Sequence, residues 1–388
     1  MIQDVLWKPQ FLDVHQPSDY DRWKTIRRSK HAHIRDDVNG QIRELYAIRH
    51  PQSIHAGIRD EEVQKFALGL FSGDTARRFG SWVWYPWSLT LVHVLPEPLY
   101  TELRTARNRN LITQKEQERY YHSTVGVAGL SVGNAVVSTI LHTGGAKTLR
   151  IADNDILSGS NMNRIKAGLD SIGLSKTVIC CREIYTVNPY ADLTVYEEGI
   201  TMKNLAAFLT KPAPLSVVVD EMDNLYLKIQ LRMLARAHKI PVVMAADNGD
   251  GIVVDIERFD LDPKRPLLHG DIPERDLMAI KPDISRVEAA RIISRWVGPS
   301  YIAERMKSSL REIGSTLYTW PQLGNAAFLA GAVMAYVVRR IVLRDSVRQG
   351  KIVVSPDEWF VPGYQSVRSR GLRQKKTREF MKFIAAAG

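Results

Sequence analysis

The sequence is poor in cysteine. It has two in 388 residues, Cys180 and Cys181, and they are neighbours. Adjacent side chains in a regular element point apart and do not bridge. No disulfide framework therefore holds this chain, and a reducing cytoplasm is its expected setting. CxxC pairs are missing, which excludes a four-cysteine zinc site, so no zinc is expected. The opening MIQDVLWKPQFLD lacks the basic-then-apolar pattern of a signal peptide. A long hydrophobic run is also missing. The most apolar stretch, Leu323–Val338, is short for a bilayer and rich in Gly and Ala. It is expected as a buried packing helix, with no membrane partner. The basic segments carry no recognised nucleic-acid fold signature, and nucleic acid is not an expected partner.

The chain is 45% hydrophobic, enough for a large core and for two or three domains. Its formal charge of +11 favours acidic partners without choosing among nucleotides, peptides and membranes. Residues 1–104 show dense charge at Arg22–Arg35 and dense aromatics at Ser81–Trp87, with Trp82 and Trp84 on one strand face if that stretch is extended. They are expected to form a smaller mixed α/β domain, its aromatics serving either a core or a peptide-binding surface. Residues 346–388 end in the strongly basic Val367–Lys382 and are expected as a basic tail.

Between these segments, in 105–345, short apolar runs alternate with helical patterns. Strands are expected at Thr124–Leu130, Thr148–Ala152, Leu193–Tyr196, Leu215–Asp220 and Pro241–Ala245. Helices are expected at Asn134–Thr143, Lys176–Val187 and Leu225–His238. That alternation predicts an α/β fold with a doubly wound, mostly parallel, Rossmann-like sheet. Gly249–Phe259 reads as a hairpin; its Asp247, Asp250 and Asp255 lack calcium-loop spacing.

The first strand opens into Gly129-Leu130-Ser131-Val132-Gly133-Asn134. Such a turn lets backbone amides approach phosphates at a helix N-terminus, although GxGxxG is incomplete here. Asp153 ends the second strand, where an acid suits ribose hydroxyls. Turn and acid together fit NAD as well as ATP. The sequence then continues through Asp155 and Asn161 to Arg164, and Lys176 follows. A triphosphate needs cations where charge builds on the leaving group, so Arg164 and Lys176 favour ATP. A solvated surface pair is the plainer reading of each. After the LSVVVD strand comes Asp223-Asn224. Asp223 at a strand's carboxyl end faces the ligand crevice, placed for Mg²⁺ or serving as a helix N-cap.

The set Asp153-x-Asp155-x5-Asn161-x2-Arg164 with Lys176 and Asp223-Asn224 resembles the ThiF/MoeB/E1 superfamily over roughly 105–260. The helix at 321–341 resembles the one after that family's crossover segment. Members adenylate a carboxylate of a peptide or ubiquitin-like protein. The resemblance implies ATP and Mg²⁺ as cofactors, with Gly129, Ser131, Gly133, Asp153, Asp155, Asn161 and Asn224 in the nucleotide site. It implies catalytic roles for Arg164, Lys176 and Asp223, the last as Mg²⁺ ligand. It further implies a homodimer in which Arg109, with Arg107 as alternative, reaches the neighbouring subunit's site. Three departures stand out: a degenerate glycine turn, no zinc pairs, and no cysteine in a crossover loop. Without a thioester cysteine, and with its N-terminal extension, the chain resembles enzymes that modify ribosomally made precursor peptides. The expected substrate is then a glutamate side chain activated for cyclisation in antibiotic biosynthesis. The alternative is adenylation of a sulfur-carrier or ubiquitin-like protein. Phosphorylation uses the same cations and stays open.

Overall fold

Apolar β-branched runs bounded by turns set the strands, and the computed structural model describes residues 7–386. The chain divides into two units, residues 1–118 with 181–191, and 119–180 with 192–388. The expected division at 104/105 is therefore not where the contacts divide. The tyrosine hydroxyls of Tyr85 and Tyr100 donate to the carbonyls of Tyr185 and Val187, and Tyr190 donates to Leu95, at 2.6–3.0 Å. These bonds explain why 181–191 belongs with the N-terminal unit.

In the first unit, β1 (Gln10–Leu12), β2 (His33–Asp36), β3 (Ser81–Tyr85) and β4 (Thr90–Val94) form a sheet of order β1-β3-β4-β2. Only β2 and β4 run parallel. Trp82 is buried with Trp23 and Leu91, and Trp84 packs against the same cluster, as one strand face requires. The Trp82 ring stacks on His93 at 4.1 Å. Helices Val38–Arg49 and Asp60–Phe71 cover a second small core around Leu45 and Leu95.

The second unit is built on a seven-stranded sheet: β5 (Thr124–Ala128), β6 (Thr148–Ala152), β7 (Asp192–Tyr196), β8 (Val217–Asp220), β9 (Val242–Asn248), β10 (Gly251–Glu257) and β11 (Gly350–Val354). Its order is β11-β10-β9-β8-β5-β6-β7. The five strands from β9 to β7 are parallel, while β10 and β11 add antiparallel. This is the expected mostly parallel, doubly wound α/β sheet. The β9–β10 hairpin turns on Gly249, whose φ of +69° suits a two-residue turn. The Gly324–Val342 helix buries Ala327, Ala330, Met334 and Val338, so it is a core helix packed on Val132–His142 and on β9 and β10.

The basic segment expected as a tail is built into this unit. Residues 350–354 supply β11, and the Val367–Ala386 helix buries Phe380 against Ile302 and Met306. Apolar Phe380 and Ile384, four residues apart, give that helix a packing stripe among its cations. Residues 1–6 and 387–388 of the expected outer segments lie outside the described residues.

Candidate active site

The chain runs from β5 to β6 and β7 on one side, then returns to β8 on the other. The strand order therefore switches between β5 and β8, and open α/β sheets bind ligands outside the carboxyl ends of strands at such a point. The turn after β5 and the loop after β8 meet there. Gly129 has φ +92°, and a β-carbon on it would lie 2.3 Å from the Glu221 carbonyl oxygen. Only glycine fits, so the close backbone approach is fixed by residue type. A β-carbon on Gly133 would lie 2.9 Å from Val127 Cγ1 of β5, and Ser131 is the N-cap position of Val132–His142.

Asp153 is buried at the end of β6. Its Oδ2 accepts from the Leu130 amide at 2.6 Å and its Oδ1 from the Asp155 amide at 2.8 Å. Burial pushes the carboxyl above its ordinary range, against the pull of Lys176 and the two amides. The carboxylate thus fixes the β5 turn and keeps lone pairs for a further donor. Asp155 is exposed and accepts from Lys176 Nζ at 2.7 Å. Lys176 is buried at the first turn of its helix, not a solvated cation, and its amide also binds the Asp155 carbonyl.

Arg164 is half-buried. Its Nε donates to Ser131 Oγ at 2.9 Å and its Nη1 to Asn163 Oδ1 at 3.0 Å. Burial lowers the guanidinium's pKa, and the negative charges of Asp247 and Asp223 oppose that. Arg164 is thus brought from the 159–164 segment to the glycine turn. Asn161 acts locally, since its side-chain oxygen accepts from the Ser158 amide at 3.1 Å and closes that segment's turn.

Between the two readings of the Asp-Asn pair, the structure divides the roles. Asn224 caps the Leu225–Ala237 helix, accepting from the Leu227 amide at 3.0 Å. Asp223 is exposed and, among the described residues, takes no hydrogen bond or ion pair. Its carboxylate is free for a ligand. Among the described residues no three metal-ligating side chains cluster. One free carboxylate nevertheless suits Mg²⁺, which commonly takes one or two carboxylates together with phosphates and water. Arg109 belongs to the first unit, exposed, with Nη1 3.5 Å from the Ile48 carbonyl; Arg107 is exposed as well.

Sequence reasoning passed over several neighbours. Asp247, at the end of β9, is buried, and burial raises its pKa to about 6. Gln322 Nε2 donates to its Oδ2 at 2.9 Å, while Asn163 Nδ2 donates to the Gln322 carbonyl at 2.8 Å. Asp247 was legible by the same strand-end rule that marks Asp223. Behind the Asp223 loop, Asp220 is fully buried and pairs with Arg232 and Lys228, while Arg232 Nε also reaches Glu257 at 2.6 Å. Burial works against ionising Asp220, yet Lys228 and Arg232 outweigh it and hold the carboxyl below its ordinary range.

Residues 105–305, just over half of the chain, match the ThiF family. An uncharacterized protein of Mycobacterium tuberculosis (strain CDC 1551 / Oshkosh) is 32% identical over 331 residues, 83% of this chain and 44% of that protein. The tRNA threonylcarbamoyladenosine dehydratase of Escherichia coli (strain K12) is 32% identical over 147 residues, 36% of this chain and 53% of that one. The chain thus spans about half the length of these curated relatives. Among solved structures, selenomethionine PaaA aligns with TM-score 0.45 at 18% identity, over 67% of this chain and 77% of that one. E. coli MccB aligns with TM-score 0.46 at 14% identity, over 78% and 75%. Those two likenesses are too weak to add to the argument, whereas the match over 105–305 is decisive: the chain belongs to the ThiF family.

Proposed function

We propose that this chain is an enzyme that binds ATP and transfers its adenylyl group to a carboxylate. The observation that supports it most is the convergence at the switch point. The β5 turn, Asp153, Arg164 and Lys176 stand beside an Asp223 whose carboxylate has no other partner among the described residues. In this reading Asp153 accepts from the ribose hydroxyls. The amides of 129–133 and the cations Arg164 and Lys176 hold the phosphates. Asp223 would hold Mg²⁺, which when bound neutralises charge on the phosphates. The substrate carboxylate attacks the α-phosphorus, the bond from that phosphorus to the bridging oxygen breaks, and pyrophosphate leaves. Lys176 must give up part of its contact with Asp155 to reach a phosphate, and the exposed side of Asp155 leaves it free to move.

For the substrate we favour a glutamate side chain of a precursor peptide. The exposed cations Arg28 and Lys30, which lead into β2, and Arg35 on it support an acidic peptide partner at the free edge of β2 in the first unit. Cyclisation in antibiotic biosynthesis, a homodimer that shares Arg109 between sites, and a cytoplasmic setting complete the reading. Both cysteines are buried, which speaks against a thioester step at either.

The test is the product of ATP turnover with acidic, glutamate-containing peptides present. Adenylation releases pyrophosphate and supports exchange of labelled pyrophosphate into ATP; release of inorganic phosphate would replace it with phosphorylation. Mixing Arg109→Ala with Asp223→Ala protein should restore activity through heterodimers with one intact site. A mixture as inactive as its parts would reject the shared site.

A further inference from the structure

Asp247 stands at the carboxyl end of β9, and no step above uses it. The strand ends give the site a direction. Asp153 on β6 is the ribose end, the turn after β5 is the phosphate end, and Asp223 after β8 marks the reacting α-phosphate. The next strand is β9. What extends past the α-phosphate in that direction is the acyl group of the adenylate.

Asp247 is only 7% exposed. One carboxylate oxygen is held by Gln322, and the other, Oδ1, is buried without a hydrogen-bond partner among the described residues. Gln322 is bound in turn by Asn163, the neighbour of Arg164, so a single residue links Asp247 to the Arg164 segment. A buried carboxylate oxygen without a donor is costly, and a ligand that brings one recovers that cost. The negative charges of Asp247 and Asp223 both act on one guanidinium, Arg164, and two carboxylates against one cation favour a cationic donor.

We propose that Asp247 determines specificity by accepting a hydrogen bond, through its unpartnered oxygen, from an ammonium that the peptide carries close to the glutamate carboxylate it presents for activation. The proposal rests on the adenylation reading of the same site. Gln322 lies on the segment leading into the Gly324–Val342 helix and covers Asp247, so that segment must shift to admit the donor.

Two non-hydrolysable acyl-adenylate mimics test it, glycyl-sulfamoyladenosine and acetyl-sulfamoyladenosine, which differ by one ammonium. Their affinities, and that of ATP, are measured by calorimetry on the wild type, Asp247→Asn and Asp247→Ser. The wild type should prefer the glycyl mimic at least ~10-fold, the worth of a charged hydrogen bond. Both neutral variants should bring that ratio close to one. The readout is the ratio, so a general change in affinity does not mimic it, and two variants guard against one folding badly. A wild-type ratio near one, or a ratio that survives in the variants, overturns the role of Asp247. Binding of ATP but of neither mimic overturns the adenylation reading beneath it.

Discussion

Replacing Asp247 with Asn should make the protein more stable at neutral pH, although the residue is assigned to the site. The carboxyl is buried, and its pKa rises from the usual 3.8 to about 6. Burial is the main cause; the Gln322 amide and Arg164 oppose it. The native state therefore holds this proton more tightly than the unfolded chain does. Below pH ~4 both states are protonated and the site costs nothing extra. Between ~4 and ~6 the unfolded chain ionises first, so stability falls as pH rises. Above the folded pKa the loss is complete. The gap between 3.8 and about 6, at 1.36 kcal/mol per pH unit, is about 3 kcal/mol of native-state cost at pH 7.

Asparagine removes the charge and keeps an oxygen for Gln322. Its NH2 takes the place of the unpartnered oxygen and returns ~1 kcal/mol of that gain as an unpaired buried donor. The net expectation is ~2 kcal/mol, or a rise in Tm of ~4–8 °C for a unit of this size. Thermal melts followed by circular dichroism, at intervals from pH 4 to pH 8, measure it. The two proteins should melt together near pH 4 and separate as pH rises, the variant higher. A difference independent of pH, or a variant that melts lower at pH 8, would refute the burial argument.

Asp223→Asn should abolish turnover while shifting stability by less than ~0.5 kcal/mol, because the exposed carboxylate has no hydrogen bond or ion pair among the described residues. Turnover and urea unfolding measured on one preparation decide this, and an active variant ends the proposed mechanism. Arg232→Met should cost ~3–5 kcal/mol, because it leaves Asp220 and Glu257 buried without their shared cation. A loss under ~1 kcal/mol in urea would mean that Lys228 and solvent compensate the pair. Gly129→Ala should weaken ATP binding and stability together, by ~1–3 kcal/mol from backbone conformation before the clash with Glu221 is counted. Calorimetry with ATP and a urea melt check it, and an unaffected variant would show that the β5 turn is not fixed by that approach.

Much of the second unit was legible because its signals are local. A continuous apolar run such as Val217–Asp220 can be little other than a buried parallel strand, and strand ends followed by Gly129, Asp153 and Asp223 mark the crevice before any contact is known. The division of labour within Asp223-Asn224 was not legible. Both residue types cap helices well, and only the extended backbone at Asn224 assigns the cap to it and frees its neighbour. The outer strand β11 was missed for a different reason. It is short, only half-buried and set among polar residues, and it pairs with β10 across nearly a hundred residues of chain. Asp247 was weighed only as a calcium ligand in the hairpin. Its partner Gln322 lies 75 residues away, and no spacing rule joins them.

The buried charges behind the site show what that long-range blindness conceals. In sequence, Asp220, Lys228 and Arg232 look like the end of a strand and the solvated face of a helix, the two cations standing four positions apart. In the structure all three are buried, and the helix turns its charged stripe inward. An inward charged stripe stabilises a fold less well than an apolar one of the same volume, so packing alone does not account for it. Its geometry does something an apolar stripe would not. Asp220 Oδ1 accepts from the Met222 amide at 3.2 Å, and Lys228 Nζ donates to the Asp220 carbonyl at 3.3 Å. The network therefore grips both ends of the backbone that leads into Asp223. The exposed carboxylate, which has no hydrogen bond of its own among the described residues, stands on backbone held by the charges beneath it.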